Sequence, residues 1–102
     1  MSAEGDDPQP YRITLVGTVR EETKRLAKVA ASVGKKIAFL DALKAIEARL
    51  SGDPSQFGEL RYHLANGEFA CHIGAISPVA IQFAIHQGRR DVLILKISLL
   101  GS

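Results

Sequence analysis

Residues 59–74, ELRYHLANGEFACHIG, decide the predicted fold because they contain the clearest turn signal of the chain. Apolar and polar side chains alternate on both sides of Asn66-Gly67, and an Asn-Gly pair between two alternating runs indicates a β-hairpin. A two-residue loop at this pair fixes the register of the two strands. It pairs Ala65 with Glu68, Leu64 with Phe69, His63 with Ala70, Tyr62 with Cys71 and Arg61 with His72.

This register places two sets of side chains on opposite faces of the hairpin. The polar set is predicted to lie on the open face, where Arg61, His63 and His72 come within cross-strand reach of one another. Gln82 and Lys96 have the right parity to join them from later strands. The other face is predicted to be the core beneath a pair of helices, and it consists of Leu60, Tyr62, Leu64, Phe69, Cys71 and Ile73.

A sheet face lined by Arg, His and Lys has the chemistry to bind phosphate, and His exchanges protons near neutral pH. Arg61 would hold a phosphate bidentately, because its planar fork matches phosphate oxygens. His72 would be the general acid or base, with His63 one diagonal step away. The candidate catalytic residues are His72, Arg61 and His63, and the candidate phosphate-binding residues are Lys96, Arg89 and Arg90.

Plainer explanations of the same residues stay open. Alternation alone places polar side chains on the open face of any one-sided sheet. Zinc bound through His63, His72 and His86 is an alternative, but the usual Cys/His spacing is lacking and Arg61 would repel a cation. We therefore predict no metal, and no motif implies a bound cofactor. Cys71 is expected to be a buried thiol rather than a nucleophile.

Downstream of the hairpin, the sequence predicts two further strands. Val79, Ile81, Phe83 and Ile85 alternate after a turn at Ser77-Pro78. Residues 87–91 (QGRRD) form the next turn, where Arg89 and Arg90 are available for a phosphate contact. Residues 92–100 are apolar on both faces, which is typical of an interior strand.

Upstream, residues 11–17 (YRITLVG) alternate as a short strand whose neighbour in the sheet the sequence leaves open. Thr18 and Glu21 match a capping box at the start of a helix, and Gly34 is placed to end that helix in a left-handed conformation. A second helix is predicted over residues 35–50. The apolar positions of the two helices are Val19, Leu26, Val29, Ala30 and Val33, then Phe39, Leu43, Ile46 and Leu50.

The order of elements is strand, helix, helix and a three-strand meander. It predicts an α+β fold in which an αα-hairpin packs on one face of a mainly antiparallel four-stranded sheet. The predicted domain covers residues 11–102. Residues 1–10 (MSAEGDDPQP) are acidic, contain two prolines and are predicted to be a flexible arm.

Composition limits the class of protein. The 102 residues suffice for one domain, and 46% hydrophobic with 24% charged residues excludes a disordered tail. With a single Cys, the chain cannot be a disulfide scaffold. Residues 11–102 contain 13 basic and 8 acidic side chains, a formal charge of +5 that suits an anionic partner. No signal peptide and no long apolar stretch is present, so a cytoplasmic protein is expected.

Several segments resemble the RelE/ParE superfamily of bacterial toxin–antitoxin modules. Residues 39–46 (FLDALKAI), followed by Gly52-Asp53-Pro54, resemble the second helix of the family and its closing segment. Phe57-Gly58-Glu59 and His72-Ile73-Gly74 are similar to the segment that leads into its "R-V-G" strand. Residues 79–85 (VAIQFAI) and 92–97 (VLILKI) resemble its last two strands.

The resemblance implies a function and partners. One branch of the family cleaves messenger RNA in the ribosomal decoding site, the other poisons DNA gyrase, and a partner antitoxin wraps and neutralises both. The expected partners are therefore a cognate antitoxin and either the ribosome with its mRNA or gyrase, with a homodimer as an open alternative. If the protein acts on RNA, Lys96, Arg89 and Arg90 are the expected RNA contacts.

The chain departs from the pattern of the RNA-cleaving branch at three places. His72 replaces the Arg of "R-V-G", Ala80 replaces an Arg of the following strand, and residues 99–102 (LLGS) replace a C-terminal Tyr or His. The usual charge clamp on the scissile phosphate is therefore largely missing. The alternative is a non-catalytic protein of the same fold that serves as an interaction module.

Overall fold

Two α-helices and one five-stranded sheet make up the fold in a computed structural model that describes residues 10–101. The sheet order is β1-β5-β4-β3-β2; β1 is parallel to β5 and every other neighbouring pair is antiparallel. Except for Pro10, the predicted arm lies outside the described residues. In chain order the elements are β1 (Arg12–Leu15), α1 (Val19–Ser32), α2 (Lys36–Gly52), β2 (Glu59–Leu64), β3 (Phe69–Ile76), β4 (Val79–His86) and β5 (Asp91–Leu99).

The predicted α+β class and helix hairpin are confirmed, but the sheet has five strands rather than four. Both arms of the Asn66-Gly67 hairpin are full strands, so the meander contains four strands, β2 to β5. Strand β1, whose neighbour the sequence left open, pairs with β5. As its apolar sequence indicated, β5 is therefore an interior strand, between β1 and β4.

The helix hairpin turns where the sequence predicted, although one helix begins differently. Gly34 adopts a φ of +76°, and the Lys35 N–H donates to the Ala30 carbonyl at 2.7 Å, which closes the end of α1. At the start of α1 the predicted capping box is wrong, because the Thr18 side chain makes no capping hydrogen bond. Instead, the Thr18 carbonyl accepts the Glu22 N–H at 2.9 Å.

The core lies between the helix hairpin and one face of the sheet. Val33, predicted to be a core residue, is 62% exposed, because it lies in the turn between the two helices, after α1 has ended. Phe57 lies on the same sheet face and stacks on Phe83 with ring centroids 5.7 Å apart. The buried residues include Leu26 and Ala30 of α1, Phe39, Ile46 and Leu50 of α2, and Ile81, Phe83, Ile85, Val92 and Ile94 of the sheet.

The predicted face of the hairpin is inverted. Strand β3 pairs with β4 so that His72 opposes Phe83 and Gly74 opposes Ile81, which puts His72 and Gly74 on the helix-covered face. The residues predicted to be core lie on the other face or at the sheet edge, and Leu60, Tyr62, Leu64 and Ile73 are 50%, 44%, 44% and 42% exposed. The physical reason is that β4 and β5 present a larger apolar set to the helices than the hairpin does.

Candidate functional site

His72 lies inside the protein rather than on an open surface. It is 6% exposed and stacks on Phe83, with ring centroids 5.3 Å apart and planes 27° apart. Its Nδ1 is buried without a hydrogen-bond partner among the described residues. Burial lowers the pKa of His72, proximity to His63 lowers it further, and an interaction with the Phe57 backbone opposes the shift. The net effect favours the neutral form of the imidazole.

Arg61 is not opposite His72, because strand β2 contains a bulge. The predicted pairs hold for Leu64, His63 and Tyr62, but the register then shifts, and Leu60 instead pairs with His72. Arg61 occupies the bulge, and its Nη1 lies 3.3 Å from Glu59 Oε1. The guanidinium thus already has a carboxylate partner. His63 is exposed on the same strand, so of the three candidate catalytic residues two are exposed and one is buried.

Lys96 lies on the face of the sheet opposite to His72, which we call the helix-free face. Its Cα partner is Gln82, and Gln82 also pairs with Ile73 of β3. On this face the Gln82 Nε2 donates to the Tyr62 hydroxyl oxygen at 3.1 Å. The structure therefore does not combine Lys96 with His72, although both were predicted on one surface.

Cys71 is fully buried and opposes Tyr62, as the register predicted, but on the helix-free face. Burial raises the pKa of the Cys71 thiol, and a hydrogen bond with the Tyr62 side chain reduces this shift. A thiol kept protonated in this way is a poor nucleophile.

Arg89 and Arg90 lie in the turn between β4 and β5. The Arg90 guanidinium packs 4.5 Å from the centre of the Tyr11 ring. The Arg89 backbone N–H donates to His86 Nδ1 at 3.2 Å, which orders the turn. Both residues are separate from His72 along the sheet, so their role as phosphate contacts stays a prediction.

The three histidines do not converge. His86 packs against Phe69 with ring centroids 5.1 Å apart, on the helix-free face, whereas His72 is on the other face. Within residues 10–101 no group of three or more His, Cys, Asp or Glu side chains is arranged to hold a metal ion.

One large apolar cleft separates the helix hairpin from the β1 side of the sheet. Its volume is about 460 Å³ and its lining is mostly aliphatic. Lys44 and Glu47 of α2 and Thr23 of α1 are its polar residues. Sequence patterns did not identify this cleft, because it arises from how far the helices extend over β1 and β5. Its aliphatic lining includes Ile13, Leu15, Leu40, Leu43 and Ile94.

The residues of the helix-free face were recognisable from a second turn. A two-residue turn at Ser77-Pro78 pairs Ile76 with Val79, and counting back pairs His72 with Phe83, as the structure has it. That count separates His72 from Gln82, which pairs with Ile73 and so shares a face with Cys71 and its partner Tyr62.

Neither a protein-family model nor a curated protein matches the sequence. Solved structures do match. One is a chain of the archaeal RelE–RelB complex from Pyrococcus horikoshii OT3, with a TM-score of 0.61 and 15% identity over 90% of this chain and 97% of that one. Another belongs to the toxin–antitoxin complex RelBE2 of Mycobacterium tuberculosis, with a TM-score of 0.57 and 18% identity over 94% and 98% of the two chains.

The chain therefore has a RelE-like fold, the fold that its sequence motifs indicated. The match includes nearly the full length of both structures, so it concerns the whole domain rather than a shared supersecondary unit. Within residues 10–101 no helix is long and apolar enough to cross a membrane.

Proposed function

We propose that this protein is a RelE-like toxin of a toxin–antitoxin system, acts on translation or on DNA gyrase, and is neutralised by a protein antitoxin. The observation that carries the proposal is the structural match, over at least 90% of the chain, to chains from two toxin–antitoxin complexes. The moderately basic domain supports an anionic target such as messenger RNA or the DNA held by gyrase.

Exposed apolar surface on the folded chain is evidence for a protein partner. The cleft of about 460 Å³ is accessible beside Leu40, which is 41% exposed. Contiguous apolar surface of this kind is typical of interaction sites.

In a co-purification assay with the antitoxin, Leu40→Glu should weaken the complex. Ile37→Glu is the matched control, because Ile37 is 77% exposed and is not part of the cleft lining.

A second candidate function is an interaction module without nuclease activity. It is favoured by the arrangement of the candidate catalytic residues: His72 is buried, Arg61 is paired with Glu59, and Lys96 lies on the opposite face. In this alternative the fold and the antitoxin-binding surface are kept, and RNA cleavage is lost.

Purified protein distinguishes the candidates in two assays. One measures protein synthesis and mRNA cleavage in a bacterial translation extract, and the other measures supercoiling of relaxed plasmid by gyrase. A toxin should inhibit either translation or supercoiling by gyrase. Unimpaired translation together with unimpaired supercoiling would favour the interaction module.

The role of the candidate catalytic residues is tested in the same extract. We propose that, if mRNA is cleaved, Arg61→Ala, His63→Ala and His72→Ala each lower the rate by about a hundredfold or more, as expected for loss of an acid–base or phosphate-binding group. Lys28→Ala, an exposed residue of α1, is the control. Cleavage that survives all three substitutions in folded protein would show that the catalytic groups lie elsewhere.

A further inference from the structure

The tip of the helix hairpin, residues 31–38 (ASVGKKIA), is exposed throughout. Two aliphatic side chains at this tip, Val33 and Ile37, are 62% and 77% exposed, which makes them the two most exposed large hydrophobic residues among the described residues. Neither belongs to the core or packs against it, and neither lines the apolar cleft. Packing within the folded chain therefore does not account for these two side chains.

The charge around the hairpin tip is positive. Residues 23–40 contain five basic and no acidic side chains. Arg25 is paired with Glu22, whereas Lys35 and Lys36 at the tip are exposed and form no ion pair within the described part of the chain. Unpaired charges of one sign on an exposed turn attract a surface of the opposite sign.

Helix stability does not explain the two lysines. Lys35 precedes α2, Lys36 is the first residue of that helix, and its first turn contains no acidic side chain. The amino end of a helix has a partial positive charge, so a cation there is unfavourable. Helix α1, by contrast, has Glu21 and Glu22 in its first turn. Breaking a local rule of helix design in this way is typical of a functional surface.

The chemistry of the tip distinguishes between anionic partners. Single-stranded nucleic acid is bound with aromatic side chains on which bases stack, and residues 31–38 contain none. Protein interfaces are centred on aromatic and Arg anchors, which this segment also lacks. Aliphatic side chains beside lysines match the boundary of a bilayer instead, because apolar groups enter the acyl region while lysines contact anionic headgroups.

We propose that the tip of the helix hairpin binds the surface of membranes that contain anionic phospholipids. Val33 and Ile37 enter the interface, and Lys35 and Lys36 contact the lipid phosphate groups. This surface is separate from the apolar cleft, whose lining includes Leu40. Membrane binding goes beyond the proposed toxin function and does not depend on it.

The first test uses fluorescence of the full-length protein with lipid vesicles. Because the chain contains no Trp, Ile37→Trp reports on the tip alone. Its emission should shift to shorter wavelength with vesicles that contain phosphatidylglycerol, but not with vesicles of phosphatidylcholine alone. High salt should reduce the shift, since it screens attraction between exposed charges. Leu60→Trp is the control, at an exposed aliphatic position of β2, and its emission should not change.

The second test measures the contribution of charge by co-sedimentation with the phosphatidylglycerol vesicles. A basic residue near an anionic surface contributes about fivefold to binding, so Lys36→Glu, which changes two charge units, should weaken it about 25-fold. The Tm should not fall, because a carboxylate is favourable at the start of a helix. Arg20→Glu makes the same charge change in the first turn of α1, about 20 Å along the helix from the tip. That distance exceeds the Debye length of about 8–10 Å, so binding should change less than about twofold.

Ile37→Glu and Leu40→Glu separate the hairpin tip from the apolar cleft. Ile37→Glu should weaken vesicle binding at least about tenfold and leave the antitoxin complex intact, because Ile37 lies outside the cleft lining. Leu40→Glu should have the reverse effect.

Three results would overturn the proposal. Equal weakening in Lys36→Glu and Arg20→Glu would mean attraction by net charge alone. Equal emission shifts of Ile37→Trp with both kinds of vesicle would mean that the lysines do not select anionic lipid. A shift with single-stranded RNA but none with vesicles would assign the tip to nucleic acid. Because vesicle binding needs neither toxicity nor an antitoxin, it can fail while the proposed function holds.

Discussion

At the scale of single residues, His72 contributes to how the stability of the protein depends on pH. Its pKa in the folded protein is lowered, chiefly by burial, whereas the unfolded chain binds the proton with a pKa of about 6.5. Between those two values the unfolded state holds more protons, so lowering the pH favours unfolding. The stabilisation is complete above about pH 6.5 and is lost as the pH falls through the folded pKa.

Replacing His72 by Phe should flatten that dependence. The ring is retained against Phe83, so we expect a change below about 1.5 kcal/mol in the free energy of unfolding at pH 7. His63→Gln removes the repulsion from a neighbouring charge and should reduce the pH dependence without abolishing it, because burial is the larger cause. Urea unfolding at pH 7 and pH 5 measures both effects. If the free energy of unfolding falls by the same amount between pH 7 and pH 5 in wild type and in His72→Phe, the pH dependence does not come from His72.

Gly58 is the residue at which the backbone leaves no space for a side chain. Its φ is +74°, and a Cβ there would overlap the Ile73 carbonyl oxygen of the neighbouring strand. Gly34 has a similar φ of +76° but open space around it. Gly34→Ala should cost about 1–2 kcal/mol from backbone strain, and Gly58→Ala about 1–3 kcal/mol more from overlap. Equal losses in chemical denaturation would refute the steric explanation.

At the scale of elements, the start of helix α1 shows where a sequence motif and the structure differ. Thr18 and Glu21 have the spacing of a capping box, yet the Thr18 hydroxyl makes no cap because its backbone is at φ −95° and ψ 13° rather than extended. Thr18→Ala should therefore change the free energy of unfolding by less than about 0.5 kcal/mol, compared with about 1 kcal/mol for a working cap. A loss near 1 kcal/mol by thermal unfolding would show that the cap forms in solution.

The turns were predictable because each depends on a few neighbouring residues. Asn66 and Gly67 both have positive φ, as the Asn-Gly signal indicated, and the Glu68 N–H donates to the Ala65 carbonyl at 3.1 Å. Ala65 also has positive φ, however, and the strands end at Leu64 and Phe69, so the loop has four residues rather than the predicted two. Gly34 likewise ends α1. The bulge at Arg61 was not predictable, because no local pattern distinguishes ELRYHL with a bulge from the same strand without one.

At the scale of the whole molecule, the order of elements predicted the RelE-like fold, but the hairpin alone did not predict which sheet face the helices cover. That choice depends on all strands together. The large buried set of β4 and β5, with Phe83 and Ile94 among its members, outweighs Tyr62 and Ile73 of the hairpin. His72 is therefore carried into the core, and Lys96 and Gln82 are carried to the helix-free face.

We propose that this chain, with its RelE-like fold, acts as a toxin, and growth of a bacterial host that expresses it from an inducible promoter is the decisive measurement. Growth should stop on induction and resume when a cognate antitoxin is co-expressed. Phe39→Ala is the control for correct folding, because Phe39 is fully buried and its truncation typically costs about 3–5 kcal/mol. Undiminished growth while soluble wild-type protein accumulates to a high level would contradict the claim.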